Sequence, residues 1–332
     1  MKKQLDYVIT QTNAFRIAFV FVLAFATLSC TKEDDVAPTM SSSESKDIAY
    51  VLENFSSVNS GVTADDFLKK GKMIPTFKTL VAALVHEKLV STVANEELTI
   101  FAPTDEAFAA LGLNEKNIGT VPNLKEILLY HAVAGKVYST MLSNKHVPTV
   151  NGAALKVDVS SGVMINEASV VKADVKAMNG VIHIIDRVLL PPSKNLVELA
   201  LASAPEFSIL VAAVQKAQLV ETLSTGGPFT VFAPTNAAFE ALLAELQVSS
   251  LDAIPVETLK NVLLYHVVSG RVFSTDLQSG PVTTLNGTFN VNLSNLKITD
   301  ANMREAGLVP SLLNIQAKNG VIHVIDRVIL PK

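Results

Sequence analysis

The sequence reads Asn-Gly-Val-Ile-His-Ile-Ile-Asp-Arg-Val-Leu-Leu-Pro at residues 179–191, and Asn-Gly-Val-Ile-His-Val-Ile-Asp-Arg-Val-Ile-Leu-Pro at residues 319–331. Each copy opens with Asn-Gly, a dipeptide typical of tight hairpin turns because both residues tolerate positive φ. A β-branched, apolar run follows, and a proline then ends ladder pairing. Both faces of such a strand are mostly apolar, which indicates burial on both sides. We therefore predict two copies of one fold, each closed by this strand.

Composition limits the classes of protein to which the chain can belong. Of its 332 residues, 49% are hydrophobic and 17% are charged, which supports two domains with well-filled cores. The net charge is −4, and without a long cluster of lysine and arginine the sequence has no electrostatic footprint for nucleic acid. The single cysteine cannot form an intramolecular disulfide, so stability has to come from burial.

Residues 1–30 have the pattern of a secretion signal. Positive charge precedes an apolar core at 17–28, which is shorter than the ~20 apolar residues of a spanning helix. The core is followed by a small residue, Ser29, and then by Cys30. This ending resembles a bacterial lipoprotein signal, in which Cys30 would become the lipidated first residue of the mature protein. An unmodified cysteine beside an ordinary cleavage site is the alternative.

An acidic cluster follows this cysteine at residues 31–35. It resembles the surface-export signal of Bacteroidetes lipoproteins, and a solvated charge run is the alternative. We predict a disordered tether over 31–45. Apolar residues from Ile48 to Phe55 then recur at helical spacing, which predicts an amphipathic helix. Because no counterpart is evident in the second copy, we interpret this helix as an N-terminal extension of a first domain over 46–191, followed by a second over 194–332.

A second block, Thr-x-Phe-Ala-Pro-Thr followed by Asp or Asn, also occurs twice. It predicts a short buried strand, a proline stop, and Thr104 or Thr235 as the N-cap of a helix. In the first copy Asp105 lies in the first helical turn, where a negative charge favours the helix dipole. The second copy has Asn236 in its place. We therefore interpret Asp105 as a capping group rather than a catalyst.

A third block places Tyr130-His131 and Tyr265-His266 where a helix is predicted to pass into a strand. The three blocks together resemble the fasciclin domain, a module of secreted and membrane-anchored adhesion proteins, over 62–191 and 194–332. The resemblance implies an α+β fold with two tandem fasciclin-like domains, each a wedge-like antiparallel β-sandwich flanked by helices. It also implies placement at the cell surface and a role in adhesion. In animal members the Tyr-His region has been linked to integrin binding, so these four residues are candidate binding residues, and core positions are the alternative.

The remaining repeated polar residues have structural and functional interpretations. In a functional interpretation, His131 and His183 form a pair, either as ligands or as an acid and a base. In a structural interpretation, each is a buried, neutral, hydrogen-bonded imidazole. The same two interpretations apply to His266 and His323 in the second copy. The spacings of a metal site are absent from the sequence. Adjacent strand residues point to opposite faces, so Asp186-Arg187 and Asp326-Arg327 are predicted to hydrogen-bond backbone rather than one ligand.

Catalytic motifs such as a nucleophile elbow, a phosphate loop or a dinucleotide fingerprint do not occur, and we expect no enzymatic activity and no cofactor. Together with this absence, the resemblances to a lipoprotein signal and to the fasciclin domain imply a lipid-anchored adhesion or binding protein of the bacterial outer membrane, exposed at the surface. Its expected partners are the membrane, through the lipid, and a matrix protein or polysaccharide. The alternative is an accessory polysaccharide-binding protein of an outer-membrane glycan uptake system.

Overall fold

The computed structural model describes residues 46–55, 74–203 and 205–332. Residues Ser45–Lys332 form a compact unit of their own. The predictions for residues 1–30 and 31–45, including lipidation of Cys30, lie outside the described residues. Within the described part of the chain, every helix is too short or too polar to cross a membrane.

The helices and strands repeat in the same order in the two halves of the chain. In chain order the described helices are α1 Ile48–Glu53, α2 Lys78–His86, α3 Val90–Asn95, α4 Asp105–Ala109, α5 Leu124–Tyr130, α6 Leu196–Ala202, α7 Ser208–Lys216, α8 Val220–Thr225, α9 Asn236–Glu245 and α10 Val256–Tyr265. Short 3-10 helices occupy Ile118–Thr120, Ser139–Met141, Leu251–Ala253 and Pro310–Leu312.

The first domain contains seven strands: β1 Leu98–Pro103, β2 Ala132–Ala134, β3 Lys145–Pro148, β4 Ala154–Asp158, β5 Met164–Ile165, β6 Ala168–Ala177 and β7 Gly180–Ile185. The second contains eight: β8 Phe229–Pro234, β9 Val267–Ser269, β10 Gly280–Thr284, β11 Gly287–Asn292, β12 Lys297–Thr299, β13 Glu305–Gly307, β14 Ile315–Ala317 and β15 Gly320–Ile325. The presence of both helices and strands in each domain confirms the predicted α+β class.

The predicted closing strands, β7 and β15, lie at the centre of their domains. Strand β7 pairs with β1, and β15 pairs with β8, in each case in parallel. Every residue of β7 and β15 is buried, as their apolar faces predict. All other named strand pairs among the described residues are antiparallel. The strands of the first domain form one sheet in the order β2-β1-β7-β6-β5-β4-β3, and those of the second form two four-stranded sheets, β10-β11-β12-β13 and β14-β15-β8-β9. The central parallel pair is the one departure from the predicted antiparallel pairing among these strands, and the whole domain serves as its crossover.

The Asn-Gly dipeptides do not have the turn geometry that their sequence predicts. Gly180 and Gly320 are the first residues of their strands, and neither they nor the preceding asparagines have positive φ. A Cβ on Gly180 would lie 1.9 Å from the carbonyl oxygen of Leu98, and one on Gly320 would lie 2.3 Å from that of Phe229. Glycine is therefore required by the close approach of the parallel strand.

The prediction that helix α1 has no counterpart is wrong, because α6 occupies the same place in the second domain. The Ile48 amide donates to Asn179 Oδ1 at 2.9 Å, and the Leu196 amide donates to Asn319 Oδ1 at 3.0 Å. Helix α6 begins at Leu196 and α7 at Ser208, whereas α1 begins at Ile48 and α2 only at Lys78. This difference in sequence spacing hid the equivalence in the sequence.

Two apolar clusters fill each domain. One lies between the helices and the central strands, and the other lies between the central strands and the hairpin strands. In the first domain they include Leu80, Phe108 and Ile182, and then Phe101, Tyr130 and Ile185. In the second they include Leu210, Phe239 and Ile322, and then Phe232, Tyr265 and Ile325. The closing strand contributes to both clusters.

Candidate functional site

The threonines of the second block cap the helices that they precede. Thr104 Oγ1 accepts from the Ala107 amide at 3.2 Å, at the start of α4. Thr235 Oγ1 accepts from the Ala238 amide at the same distance, at the start of α9. The first amides of a helix have no carbonyl partner within the helix, and each threonine hydroxyl accepts from one of them.

Asp105 caps a different helix from the one predicted. Its Oδ1 accepts from the Thr79 amide at 2.8 Å, and its Oδ2 accepts from the Thr76 hydroxyl at 2.6 Å, so it joins α4 to the start of α2. Partial burial acts to raise the pKa of Asp105, but the hydrogen bonds from Thr76 and Thr79 outweigh it, and the pKa is lowered. Asn236 caps the start of α7 in the second domain as Asp105 caps α2, but without a charge. Its Oδ1 accepts from the Ile209 amide at 2.9 Å.

The tyrosines of the Tyr-His motif are buried, with 2% of Tyr130 and 1% of Tyr265 exposed. Tyr130 donates its hydroxyl hydrogen to the Ala154 carbonyl at 2.9 Å, and Tyr265 donates to the Thr288 carbonyl at 2.8 Å. Desolvation raises the pKa of both phenols. Each tyrosine therefore ties the end of a helix to the first residues of a hairpin strand.

The histidines of this motif, His131 and His266, are also buried. The Nδ1 of His131 lies 2.8 Å from the Ile127 carbonyl, and its Nε2 lies 2.9 Å from the Leu189 amide. A carbonyl can only accept and an amide can only donate, so the ring is neutral with its proton on Nδ1. His266 makes the same two contacts. Desolvation lowers the pKa of both rings to about 4.

The histidines of the closing strands carry their proton on the other nitrogen. His183 Nε2 lies 2.8 Å from the Val137 carbonyl, and His183 Nδ1 accepts from the Asp174 amide at 3.3 Å. His323 makes the equivalent contacts. Burial lowers the pKa of both rings. All eight ring nitrogens of the motif histidines are thus bonded to backbone, and the described residues contain no group of three or more His, Cys, Asp and Glu side chains suited to a metal.

The Asp-Arg pairs divide between backbone and side-chain partners. Asp186 Oδ1 accepts from the Ser169 amide at 2.7 Å, and Asp326 Oδ1 accepts from the Gly307 amide at 2.6 Å. The arginine in the second domain differs from the prediction, because Arg327 forms an ion pair with Glu245 instead of bonding to backbone. Helix α9 is longer than its counterpart α4 and brings Glu245 within reach.

Sequence reasoning missed the role of the asparagine that opens each closing motif. Asn179 Nδ2 donates to the carbonyls of Val93 and Glu96, both at 2.7 Å. Asn319 Nδ2 donates to the carbonyl of Leu223 at 2.9 Å and to that of Gly226 at 2.7 Å. Each asparagine therefore joins two helices to the closing strand. The repetition of the asparagine in both copies was the sequence signal for this role. It was overlooked because the Asn-Gly dipeptide was interpreted as a turn.

The contact between the two domains was also missed. The Gln316 side chain of β14 accepts from the Ala154 amide at 3.2 Å and donates to the Ala154 carbonyl at 2.9 Å. The rings of His146 and Phe273 stack in parallel with centroids 4.0 Å apart. The second domain therefore covers the strand to which Tyr130 is bonded. The corresponding side of the second domain is a groove of about 600 Å³ beside Tyr265.

Comparisons with known proteins agree on the family. The fasciclin domain profile matches residues 75–191 and 205–331. Protein sll1483 of Synechocystis sp. is 44% identical over 151 residues, which are 45% of this chain and 79% of that protein. Human periostin is 30% identical over 266 residues, 79% of this chain but 30% of periostin. The transforming growth factor-beta-induced protein ig-h3 of Sus scrofa is 33% identical over 251 residues, 71% of this chain and 33% of that protein.

One solved structure in the comparison is a FAS1 domain pair from the insect cell adhesion molecule fasciclin I. It is 22% identical to this chain, covers 76% of this chain and 96% of its own, and has a TM-score of 0.37. The two profile matches together cover more than half of the residues, and each contains the Tyr-His motif and the closing strand described above. This chain is a member of the fasciclin domain family with two tandem fasciclin domains.

Proposed function

We propose that the chain is an adhesion or binding protein of the bacterial cell surface that recognises a matrix protein or a glycan through its fasciclin domains. A lipid on Cys30 anchors it to the outer membrane. The observation that carries the proposal is the way in which both domains use their motif side chains. The repeated histidines, tyrosines and asparagines hydrogen-bond backbone inside a rigid scaffold, so recognition is left to the surface.

The same observation supports a binding protein over an enzyme. A general base needs a free nitrogen within reach of a substrate proton, and each motif histidine has both nitrogens engaged. Binding at Tyr130, His131, Tyr265 and His266 remains a prediction. Because these rings are buried, we expect a ligand to approach them only at the Tyr265 phenol, which lines the groove.

The anchor is tested by fractionating cells that produce the full chain. Cys30→Ala should move the protein from the membrane fraction to the soluble fraction and abolish incorporation of labelled fatty acid. Ser29→Ala keeps the cysteine and a small residue before it, and it is the matched control that should stay in the membrane. If Cys30→Ala stayed in the membrane fraction, the lipid anchor would be refuted.

Recognition is tested by measuring binding of the full chain to a panel of matrix proteins and polysaccharides. Saturable binding to an immobilised member supports adhesion, and a panel without any binding would overturn it. Preference for soluble oligosaccharides would favour the glycan-uptake alternative. Tyr265→Phe removes the phenol beside the groove, and Tyr130→Phe removes one that the second domain covers. A loss of binding with Tyr265→Phe alone would place the ligand at the motif.

A further inference from the structure

The contact between the domains is made by two different faces. We call the surface of the first domain around Glu126, Tyr130 and Ala154 its acceptor face. The second domain docks on it with a donor face, formed by Arg271, Phe273, Gln316 and Lys318. Besides the Gln316 and Phe273 contacts described above, Lys318 pairs with Glu126 at 3.3 Å. The docked second domain leaves only 2% of Ala154 exposed.

The second domain carries its own copy of the acceptor face. Tyr265 bonds to the Thr288 carbonyl as Tyr130 bonds to that of Ala154. The Asn286 side chain donates to the Asn261 carbonyl at 2.9 Å, just as the Asn151 side chain donates to that of Glu126. Among residues 46–55, 74–203 and 205–332, no other domain covers this copy. It forms the groove of about 600 Å³, in which Thr288 and Asn290 are exposed.

The first domain carries its own copy of the donor face. Lys176 faces Val181 across β6 and β7 as Gln316 faces Val321 across β14 and β15. Lys136 Nζ donates to the Met178 carbonyl at 3.0 Å, where Arg271 donates to carbonyls of the equivalent turn. Lys176 is exposed, and 67% of Met178 is exposed.

We propose that the groove of the second domain binds the first domain of a second copy of this chain, in the manner in which the first domain binds the second within one chain. Each chain then has one free donor face and one free acceptor face. Because the two faces differ, the contact is heterologous and joins copies head to tail. The assembly needs neither the lipid anchor nor a matrix ligand.

The chemistry of the two free faces fits this contact. The ammonium group of Lys176 can donate to the Thr288 carbonyl, as the Gln316 amide does to Ala154, but it cannot accept from the amide. The contact between chains therefore has one of the two hydrogen bonds of the internal contact and depends on concentration. Met178 on one face and Met303 in the groove, which is 82% exposed, would be covered together.

The test measures the average mass of the full chain in density-matched detergent by sedimentation equilibrium. The mass should rise above that of one chain as concentration increases. Thr288→Arg blocks the groove and Met178→Arg blocks the donor face, so each variant alone should stay monomeric. An equal mixture of the two should form dimers and nothing larger, because only one pair of intact faces remains.

The matched control is Thr222→Arg, which introduces the same side chain at an exposed position of α8 outside both faces, and it should assemble like the wild type. Asn290→Arg repeats the block of the groove at a second exposed residue. Circular dichroism shows that each variant keeps its fold. Head-to-tail assembly is overturned if the wild type stays monomeric, if either blocked variant assembles alone, or if the mixture grows beyond dimers.

Discussion

Arg271 in the second domain donates to the carbonyls of Ala317, Lys318 and Gly320, whereas Lys136 at the same place in the first domain donates to that of Met178 alone. The second domain also has an ion pair between Arg327 and Glu245 at its surface. In the core the two domains agree, because every motif histidine, tyrosine and asparagine makes the same kind of contact. The comparison shows that the motif side chains hydrogen-bond to the backbone in both domains, whereas the surface residues around them differ between the domains.

The largest effect is expected at the close approach of the parallel strands. Gly180→Ala places a methyl group against the Leu98 carbonyl, which is backbone and cannot move aside. We expect a loss of about 4 kcal/mol or more from the free energy of unfolding of the first domain, measured by urea denaturation. Gly320→Ala should do the same to the second domain.

Gly152→Ala is the control for this pair. Gly152 has a φ of +87° but nothing within 4 Å of the added Cβ, so the change costs only the left-handed backbone strain of about 1–2 kcal/mol. If Gly180→Ala cost no more than Gly152→Ala, the close approach would not be what requires glycine in the closing motif.

A smaller loss is expected from the asparagine that joins the helices to the closing strand. Asn319→Ala removes the partner of the Leu196 amide and of carbonyls at the end of α8. Unpaired buried groups cost about 1–3 kcal/mol each, and we expect about 3 kcal/mol in thermal or urea unfolding of the second domain.

Asn302→Ala tests whether burial matters for such an asparagine. The Asn302 side chain also donates to two carbonyls, those of Leu330 and Pro331, but it is exposed to solvent. Water can replace those bonds, so the loss should stay near 0.5 kcal/mol. Equal losses for Asn302→Ala and Asn319→Ala would contradict a structural role specific to the motif.

The smallest expected effect is a difference between the two domains in how their stability depends on acid pH. The folded pKa of Asp105 lies below its unfolded value, so its stabilisation is present above the unfolded pKa and is lost as pH falls through the folded pKa. Asp105→Asn should remove this acid dependence and leave the first domain, like the second with Asn236, less sensitive to acid as the pH falls below the ordinary aspartate value of 3.8. Urea denaturation at several pH values measures the change.

Glu106→Gln neutralises the neighbouring carboxylate, for which the structure records no cap on α2, and serves as the control. It should keep the acid dependence of the wild type. The same slope with pH in the wild type and Asp105→Asn would show that the carboxylate does not cap α2 in solution.

Sequence patterns predicted the structural features that are determined by residues close together along the chain. The buried closing strands and the capping threonines follow from apolar runs and helix-start residues, which are local signals. The parallel pairing, the equivalence of α1 with α6 and the placement of Asp105 on α2 depend on contacts between residues far apart in sequence. Gln316 is the clearest case, because its partner Ala154 belongs to the other domain and neither residue has a pattern of its own.

The pH dependence of the motif histidines follows from their burial. His131 and His266 have a folded pKa of about 4, below the ordinary value of 6.5. Between these values the unfolded state binds more protons than the folded state, so stability falls as pH drops from about 6.5 to 4. A difference of about 2.5 pKa units corresponds to roughly 3 kcal/mol for each ring.

The measurement that tests the structural role of the motif most directly is a nitrogen-detected NMR titration of the histidine rings. We predict neutral rings at pH 7, with the proton on Nδ1 in His131 and His266 and on Nε2 in His183 and His323. The first two should titrate at about pH 4. Rings that exchange freely between tautomers, or that titrate near pH 6.5, would contradict the conclusion that these side chains serve the backbone.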